Sequence, residues 1–354
     1  MEMNTFMTNV NKGIWAIVTL AFFGSCVDRF LPESLDAFDS ESNFTQTVYT
    51  PKLGRNTLIS NNFNAGQNAT LPLTFEITSI KRFDGSDAPE LTEYFPVKVW
   101  RKPYLGTETS LQEIEDKRTI EYRPLFQVRK HSGEFVMWSN ANSSFVRCSP
   151  DSSYTFDVLV KNSGGYAYTS RMRLIPIREA NYEPNNIDEV TGMEVQEYLH
   201  PSLIRGVRSS ESGLSYEPEN VKVYFRQNEE TEAGGKTLTF RFFKEDYTPI
   251  DPAKFNLTNW ANLVHGFNME QTLEYVRYTV AYPIPLLKAV NRYTNTIGDM
   301  ARVRFAYNRI GSSGFREESF FELDFSIFKE GHWEIWFVFD GNGPLFTDGV
   351  QIDN

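Results

Sequence analysis

In the run HWEIWFVFD, residues 332–340, apolar and polar side chains alternate, which commits the stretch to a strand with two unlike faces. Trp333, Ile335, Phe337 and Phe339 share one face and read as core; His332, Glu334, Trp336 and Val338 share the other. Strand-like runs separated by turn residues recur along most of the chain. In the first half they are LPLTFEITSI (71–80), FPVKVW (95–100) and two hairpins. The hairpins are PLFQVRKHSGEFVMWS (124–139), turning at His131-Ser132-Gly133, and YTFDVLVKNSGGYAYTSRMRLIPI (154–177), turning at Asn162-Ser163-Gly164-Gly165. NVKVYFR (220–226), KTLTFRFF (236–243), EYVRYTVAYPIPL (274–286), ARVRFAYNR (301–309) and FREESFFELDFSIF (315–328) continue the pattern. Two stretches carry helical signals instead. One is 110–122, with Leu111, Ile114 and Lys117 at helical spacing; the other is 251–267, where Asp251 can cap and Pro252 suits the first turn.

A chain of 354 residues suggests two domains. The break falls in 178–213, which is polar, carries Pro184 and Pro201 and follows neither period. No fixed-period repeat points to a solenoid or propeller. The expectation is a mainly β protein of two tandem β-sandwich-like (Ig-like or jelly-roll-like) domains, 45–178 and 214–354, joined by a linker over 179–213 and carrying a few short helices.

The net charge of -11 and the lack of any basic run argue against nucleic acid and anionic lipid headgroups as partners. The N-terminus carries a different membrane signal. Ile14 to Phe23 is an apolar run of ten residues, against about 20 for a spanning helix. Lys12 precedes it and Gly24-Ser25 follow, the layout of a secretory leader, and Met7 would give a cleaner start than Met1 because it drops Glu2. Cys26 comes next, and small residues before a cysteine resemble the lipobox of bacterial lipoproteins, with Phe23 where Leu is commonest. The second cysteine, Cys148, has no neighbouring His or Cys and reads as a small, partly buried residue. Residues 1–25 are therefore expected to be a signal peptide, Cys26 the lipid-bearing residue and 26–44 a tether. Acyl chains contribute about 0.8 kcal/mol per buried CH₂, so several make a firm anchor.

The runs TPKLGRNT, VWRKPYLGTETSLQEIEDKRTIEYRPLFQVR, LIPIREANYEPN, HGFNMEQTLEYVRYTVAYPIPLL and FELDFSIFKEGHWEIWF resemble an uncharacterised family of outer-membrane lipoproteins from Bacteroidetes-type bacteria. The resemblance spans roughly Leu31 to Phe346. It implies an outer-membrane location, facing the cell surface, and a genetic neighbourhood of SusC/SusD-like nutrient importers. It implies no activity, and Cys26 is the residue it carries over.

Chemical motifs are sparse. The histidines His131, His200, His265 and His332 lie far apart, and no HExxH or CxxC spacing occurs. DGNGPLFTDG (340–349) starts like a calcium loop but has Pro344 at its fifth position and Gln351 at its twelfth. No GxSxG, GxGxxG or P-loop is present, and GSSGF (311–315) reads as a hairpin turn. Glu318, Glu322 and Asp324 share one strand face, which is usually a solvated face and in a hydrolase could be a carboxylate pair. No cofactor is implied. Trp336, between polar neighbours, is the leading candidate platform for a sugar ring, followed by Trp138, Trp100 and Trp260; core packing is the competing role for each.

The reading is a non-enzymatic, lipid-anchored accessory protein of a SusC/SusD-like uptake system that captures oligo- or polysaccharide. The alternatives are a structural subunit of the importer and, behind it, a glycoside hydrolase. The anchor has a direct test: Cys26→Ala is expected to release the protein from membranes or leave its leader uncleaved. A processed variant as firmly membrane-bound as the wild type would refute it.

Overall fold

The computed structural model describes residues 38–348, apart from 40, 68, 151, 165–166, 189–190, 192, 229–234 and 312–313; residues 167 and 168 are described by their backbone alone. The expected signal peptide, Cys26 and most of the expected tether lie outside these residues. Among the described residues no helix is long and apolar enough to cross a membrane.

The chain builds two apolar cores, each between facing sheets. In order, the first half supplies β1 (Asn43–Phe44), β2 (Val48–Tyr49), β3 (Thr57–Ile59), β4 (Phe63–Asn64), β5 (Thr74–Arg82), α1 (Pro89–Thr92) and β6 (Tyr94–Trp100). It continues with α2 (Leu111–Glu115), β7 (Arg118–Pro124), β8 (Phe126–Val128), β9 (Phe135–Met137), β10 (Tyr154–Lys161) and β11 (Ala167–Leu174). One sheet runs β2-β11-β10-β5 and the other β3-β9-β8, with β6 and β7 forming a separate ribbon. Alternation sets the packing: Tyr154, Phe156, Val158 and Val160 of β10 are all buried. Phe156 meets Phe126 at 5.2 Å and Phe135 at 5.4 Å, both edge to face, and so ties the two sheets together.

The second half supplies β12 (Tyr182–Glu183), β13 (Leu203–Arg205), β14 (Val221–Asn228), β15 (Thr237–Phe243), β16 (Gly266–Gln271) and β17 (Tyr275–Val280). β18 (Ala301–Ile310), β19 (Arg316–Ile327) and β20 (His332–Phe339) complete it. Five strands run β14-β20-β15-β17-β16, with β15 parallel to β20. The long β18–β19 hairpin, extended by β12 and β13, makes the facing layer. The inner aromatics lock these layers: Phe337 lies 5.5 Å from Phe242, 5.2 Å from Phe305 and 5.1 Å from Phe321.

Three local expectations change. The stretch 251–267 is not a helix. It forms two short 3-10 turns, Pro252–Lys254 and Trp260–Asn262, the first capped by Asp251 Oδ1 accepting from Ala253 N at 2.8 Å. Its Asn and Thr side chains bond the open edge of β18 instead. Leu257 N donates to the Ala306 carbonyl at 3.0 Å, Thr258 Oγ1 accepts from Ala306 N at 2.9 Å, and Asn256 Oδ1 accepts from Asn308 N at 3.0 Å. The second change is that helix over 110–122 stops at Glu115, because Arg118–Pro124 pairs along the whole of β6. Ser110 Oγ caps the short helix by accepting from Glu113 N at 3.1 Å. The third concerns 179–213, expected as a linker: it adds β12 and β13 to β19, and Tyr182 stacks on Phe225 at 4.5 Å with a 6° interplanar angle. Strands of two or three residues are too short to show a period.

The halves meet at a small apolar joint of Ile114 against Ala281 and Leu286, flanked by Trp100, Tyr104, Leu111 and Phe267. A polar cluster crosses it. His265 Nε2 lies 2.9 Å from the Glu108 carbonyl, which can only accept, so Nε2 carries the proton and Nδ1 accepts from the Tyr104 hydroxyl at 2.5 Å. Burial lowers the pKa of His265 against the pull of Glu108, consistent with this neutral tautomer. The Glu108 carboxylate is buried beside the joint. Desolvation would raise its pKa, but the Lys117 ammonium and the Leu105 N–H outweigh that and hold it down at about 2. Both groups bind fewer protons folded than unfolded, so the stability they confer is lost as pH falls. The loss begins below 6.5, where unfolded His265 starts to charge, and continues for Glu108 from 4.5 toward about 2. Glu108→Gln is expected to cost about 3 kcal/mol at neutral pH, as for one partner of a buried pair. It should also flatten the acid limb of stability in denaturant melts between pH 7 and 3, to be measured against the wild type.

Candidate functional site

The solvent face of the five-stranded sheet gathers the most chemistry. Strand register sets side chains into two rows across it. One row reads Tyr224, Trp336, Arg241, Tyr275, each directly opposite the next on adjacent strands. The other reads Arg226, Glu334, Thr239, Arg277, Glu270. With strands about 4.8 Å apart, the first row spans roughly 14 Å.

The rows are cross-linked. The Arg226 guanidinium lies 4.5 Å over the Trp336 ring and 5.3 Å from Tyr224. Trp336 Nε1 donates to Glu334 Oε2 at 2.7 Å, and Arg241 Nε stands 3.5 Å from the same oxygen. Arg277 sits 4.6 Å over Tyr275 while its Nε donates to Thr239 Oγ1 at 3.2 Å. The Tyr275 hydroxyl donates to Glu270 Oε1 at 2.8 Å, a bond that raises its pKa and keeps the phenol protonated. Among the described residues Arg226 has no carboxylate partner. Its side chain is exposed, so its donors are presented to solvent from an aromatic pedestal. Such a face can hydrogen-bond hydroxyls and carboxylates and can cover apolar ring surface.

The four candidate tryptophans occupy different surroundings, and each is half-buried. Trp336 is on the open face, but as the support of Arg226 rather than as a bare stacking plane. Trp260 packs on the second core, 5.7 Å from Phe305 and 6.2 Å from Phe242. Trp138 packs on the first core with Arg123 at 5.8 Å, and its Nε1 is buried without a hydrogen-bond partner. Trp100 stands in the joint, 5.6 Å from Tyr104, and lines a cleft between the halves. The acids on β19 are bound up in a ladder with β18. Asp324 accepts from Arg302 at 2.6 and 2.9 Å, Glu318 accepts from Arg304 at 2.6 Å, and Glu322 lies 3.6–3.8 Å from both arginines.

Tyr224, Arg226, Arg241, Tyr275 and Arg277 were not singled out from sequence. Their signal is present as aromatic and cationic side chains at alternate positions of NVKVYFR, KTLTFRFF and EYVRYTV. It becomes a cluster only when β20 lies between β14 and β15, with β17 beside them.

Residues 63–348 match the model of a family described as "Domain of unknown function (DUF5007)". None of the curated proteins matches the chain. Among solved structures, the chain is similar to the human desmocollin-1 ectodomain at 10% identity and a TM-score of 0.25, covering 87% of this chain and 63% of that one. It is also similar to the extracellular cadherin domains 1–4 of protocadherin gamma B7, at 10% identity and a TM-score of 0.13, covering 82% of this chain and 77% of that one. At those scores neither likeness bears on the site.

Trp260 offers a check on which rings are structural. Trp260→Ala is expected to lower stability by about 3 kcal/mol in chemical unfolding, because its ring fills space between Phe242 and Phe305.

Proposed function

The chain belongs to the DUF5007 family, which assigns no activity, and we propose from the site itself that the protein captures glycans. In this reading it is anchored through Cys26 to the outer membrane, faces the cell surface and serves a SusC/SusD-like importer as an accessory subunit without catalysis of its own. The observation that carries the proposal is the solvent face of the five-stranded sheet, where Tyr224, Trp336 and Tyr275 alternate in space with Arg226, Glu334, Arg241 and Arg277. Sugars present hydroxyl edges and apolar ring faces, and a face of fixed guanidinium and carboxylate groups set on aromatic rings complements both. The leader-like run and the lipobox-like Cys26 support the location.

A second reading, packing against an importer subunit, draws on the β6–β7 ribbon. Tyr94, Ile120 and Tyr122 are 70, 65 and 68% exposed there, an apolar strip of the kind that marks protein contacts. The hydrolase reading draws no support from the β19 acids, which are held by Arg302 and Arg304.

Affinity electrophoresis in gels loaded with soluble polysaccharides tests glycan capture. A single site of this kind binds on the order of millimolar, about -4 kcal/mol. Trp336→Ala and Arg226→Ala are each expected to abolish retardation. The exposed Arg226→Ala should change stability by no more than about 0.5 kcal/mol. If no polysaccharide retards the wild type, or both variants are retarded as it is, glycan capture gives way to the subunit reading.

A further inference from the structure

The loop that follows β17 presents apolar side chains to water on a rigid frame. Val290 and Ile297 are 67 and 75% exposed. They stand side by side, because Gly298, at φ +76°, packs so closely that a methyl group there would fall 2.5 Å from Val290 N. Hydrogen bonds fix the shape of the loop. Asn291 N donates to Thr294 Oγ1 at 2.9 Å, Thr294 Oγ1 donates to the Ala289 carbonyl at 3.1 Å, and Asn295 N donates to the Met300 carbonyl at 2.9 Å. The first half brings a third aliphatic to the same place. Gly106 backs onto Asn291, whose Cβ would lie 3.7 Å from a methyl group at Gly106, so the neighbouring Leu105, 63% exposed, stands beside the loop. Single exposed aliphatics are ordinary on a protein surface, but three on adjoining loop tips form a patch.

Cations accompany these tips. Lys102 shares the loop of Leu105, Lys288 and Arg292 flank Val290, and all three are exposed. Arg292 is propped 4.7 Å over the Tyr293 ring, which is itself stacked on His265 at 4.9 Å. Among the described residues none of the three is ion-paired, whereas the adjacent Arg101 is taken by Glu121. The acids of the same two stretches are otherwise engaged. Glu108 is buried, Glu113 accepts from Thr109 N at 2.8 Å, and Asp299 accepts from Asn295 Nδ2 at 2.7 Å. No basic run announces this patch, because its cations come from segments far apart in the chain that the fold brings to one place.

We propose that the patch seats the protein on a membrane surface bearing anionic headgroups. Leu105, Val290 and Ile297 enter the boundary of the acyl region while Lys102, Lys288 and Arg292 meet the headgroup phosphates, the two contributions that hold interfacial segments. The lysines favour lipid over a protein partner, since lysine is depleted in protein interfaces. This reverses the expectation, drawn from net charge and the lack of a basic run, that anionic headgroups are poor partners. It rests neither on the sheet face nor on lipid at Cys26.

An environment-sensitive fluorophore attached at Ile297→Cys tests the proposal. The full chain carries Cys26→Ala, so no acyl anchor contributes, and Cys148 is buried. It is titrated with phosphatidylcholine vesicles containing about 30% phosphatidylglycerol and a nitroxide-labelled lipid, and with the same vesicles lacking phosphatidylglycerol. In the anionic vesicles the emission is expected to shift to the blue and be quenched, and both effects should fade as NaCl is raised. Each of Lys102→Gln, Lys288→Gln and Arg292→Gln should weaken the titration about fivefold. A fluorophore at Phe315→Cys, equally exposed but at the far end of β18, about 30 Å away, should keep its solvent-like emission. An unquenched label at 297 would overturn the patch, whether or not the chain floats with the vesicles. So would equal quenching at 315, an equal response to neutral vesicles, or no effect of the three charge variants. A blue shift at 297 that grows with protein concentration in the absence of lipid would instead assign the patch to contact between copies of the chain.

Discussion

Phe337 is wedged among Phe242, Phe305 and Phe321, and the second half of the molecule depends on that wedge. Side chains alternate strictly along a strand, so the ring that points inward fixes its neighbours outward. A slip of β20 by one residue would send Trp336 into the core and Phe337 into water. Because β20 pairs with both β14 and β15, its register is passed to both sides, which is how Tyr224 and Arg241 come to flank Trp336. The solvent face is thus held in line from beneath, by residues on the opposite side of the sheet.

The two halves are joined by a different kind of interaction. The apolar part of the joint is small, and polar groups around it set the fit: His265 bonds both Tyr104 and Glu108, Arg118 bonds the Tyr282 carbonyl, and Glu183 draws in Lys52 and Arg55. Hydrogen bonds and ion pairs of this sort are demanding in geometry, whereas apolar contacts tolerate sliding. They fix how the first half is seated on the second, and with it the shape of the cleft whose walls come from both.

Most of the strand layout was legible in sequence because burial of one sheet face imposes a period of two. Trp333, Ile335, Phe337 and Phe339 are buried as their alternation predicts, and both early hairpins turn where their Gly and Ser residues stand. The mainly β architecture follows from that signal. What escaped it was decided by tertiary contact. The run 251–267 has helix-start residues, yet its Asn and Thr side chains find better partners on the edge of β18. Residues 118–124 could continue a helix until β6 offers a full ladder. The site was half legible: Trp336 stood out among polar neighbours, but its role as a support for Arg226 depends on strand adjacency, which no local pattern encodes.

The order of the row that holds Trp336 has a consequence for how the protein would be seen by an immune system. Along the chain its members come as Tyr224, Arg241, Tyr275 and Trp336, but across the sheet they stand as Tyr224, Trp336, Arg241, Tyr275. The inversion arises because β20 inserts between β14 and β15. No linear peptide, and no hairpin cut from this domain, displays the row in its native order. Antibodies raised against synthetic fragments would miss this surface, and one that recognises it would serve as a probe for the correctly threaded sheet.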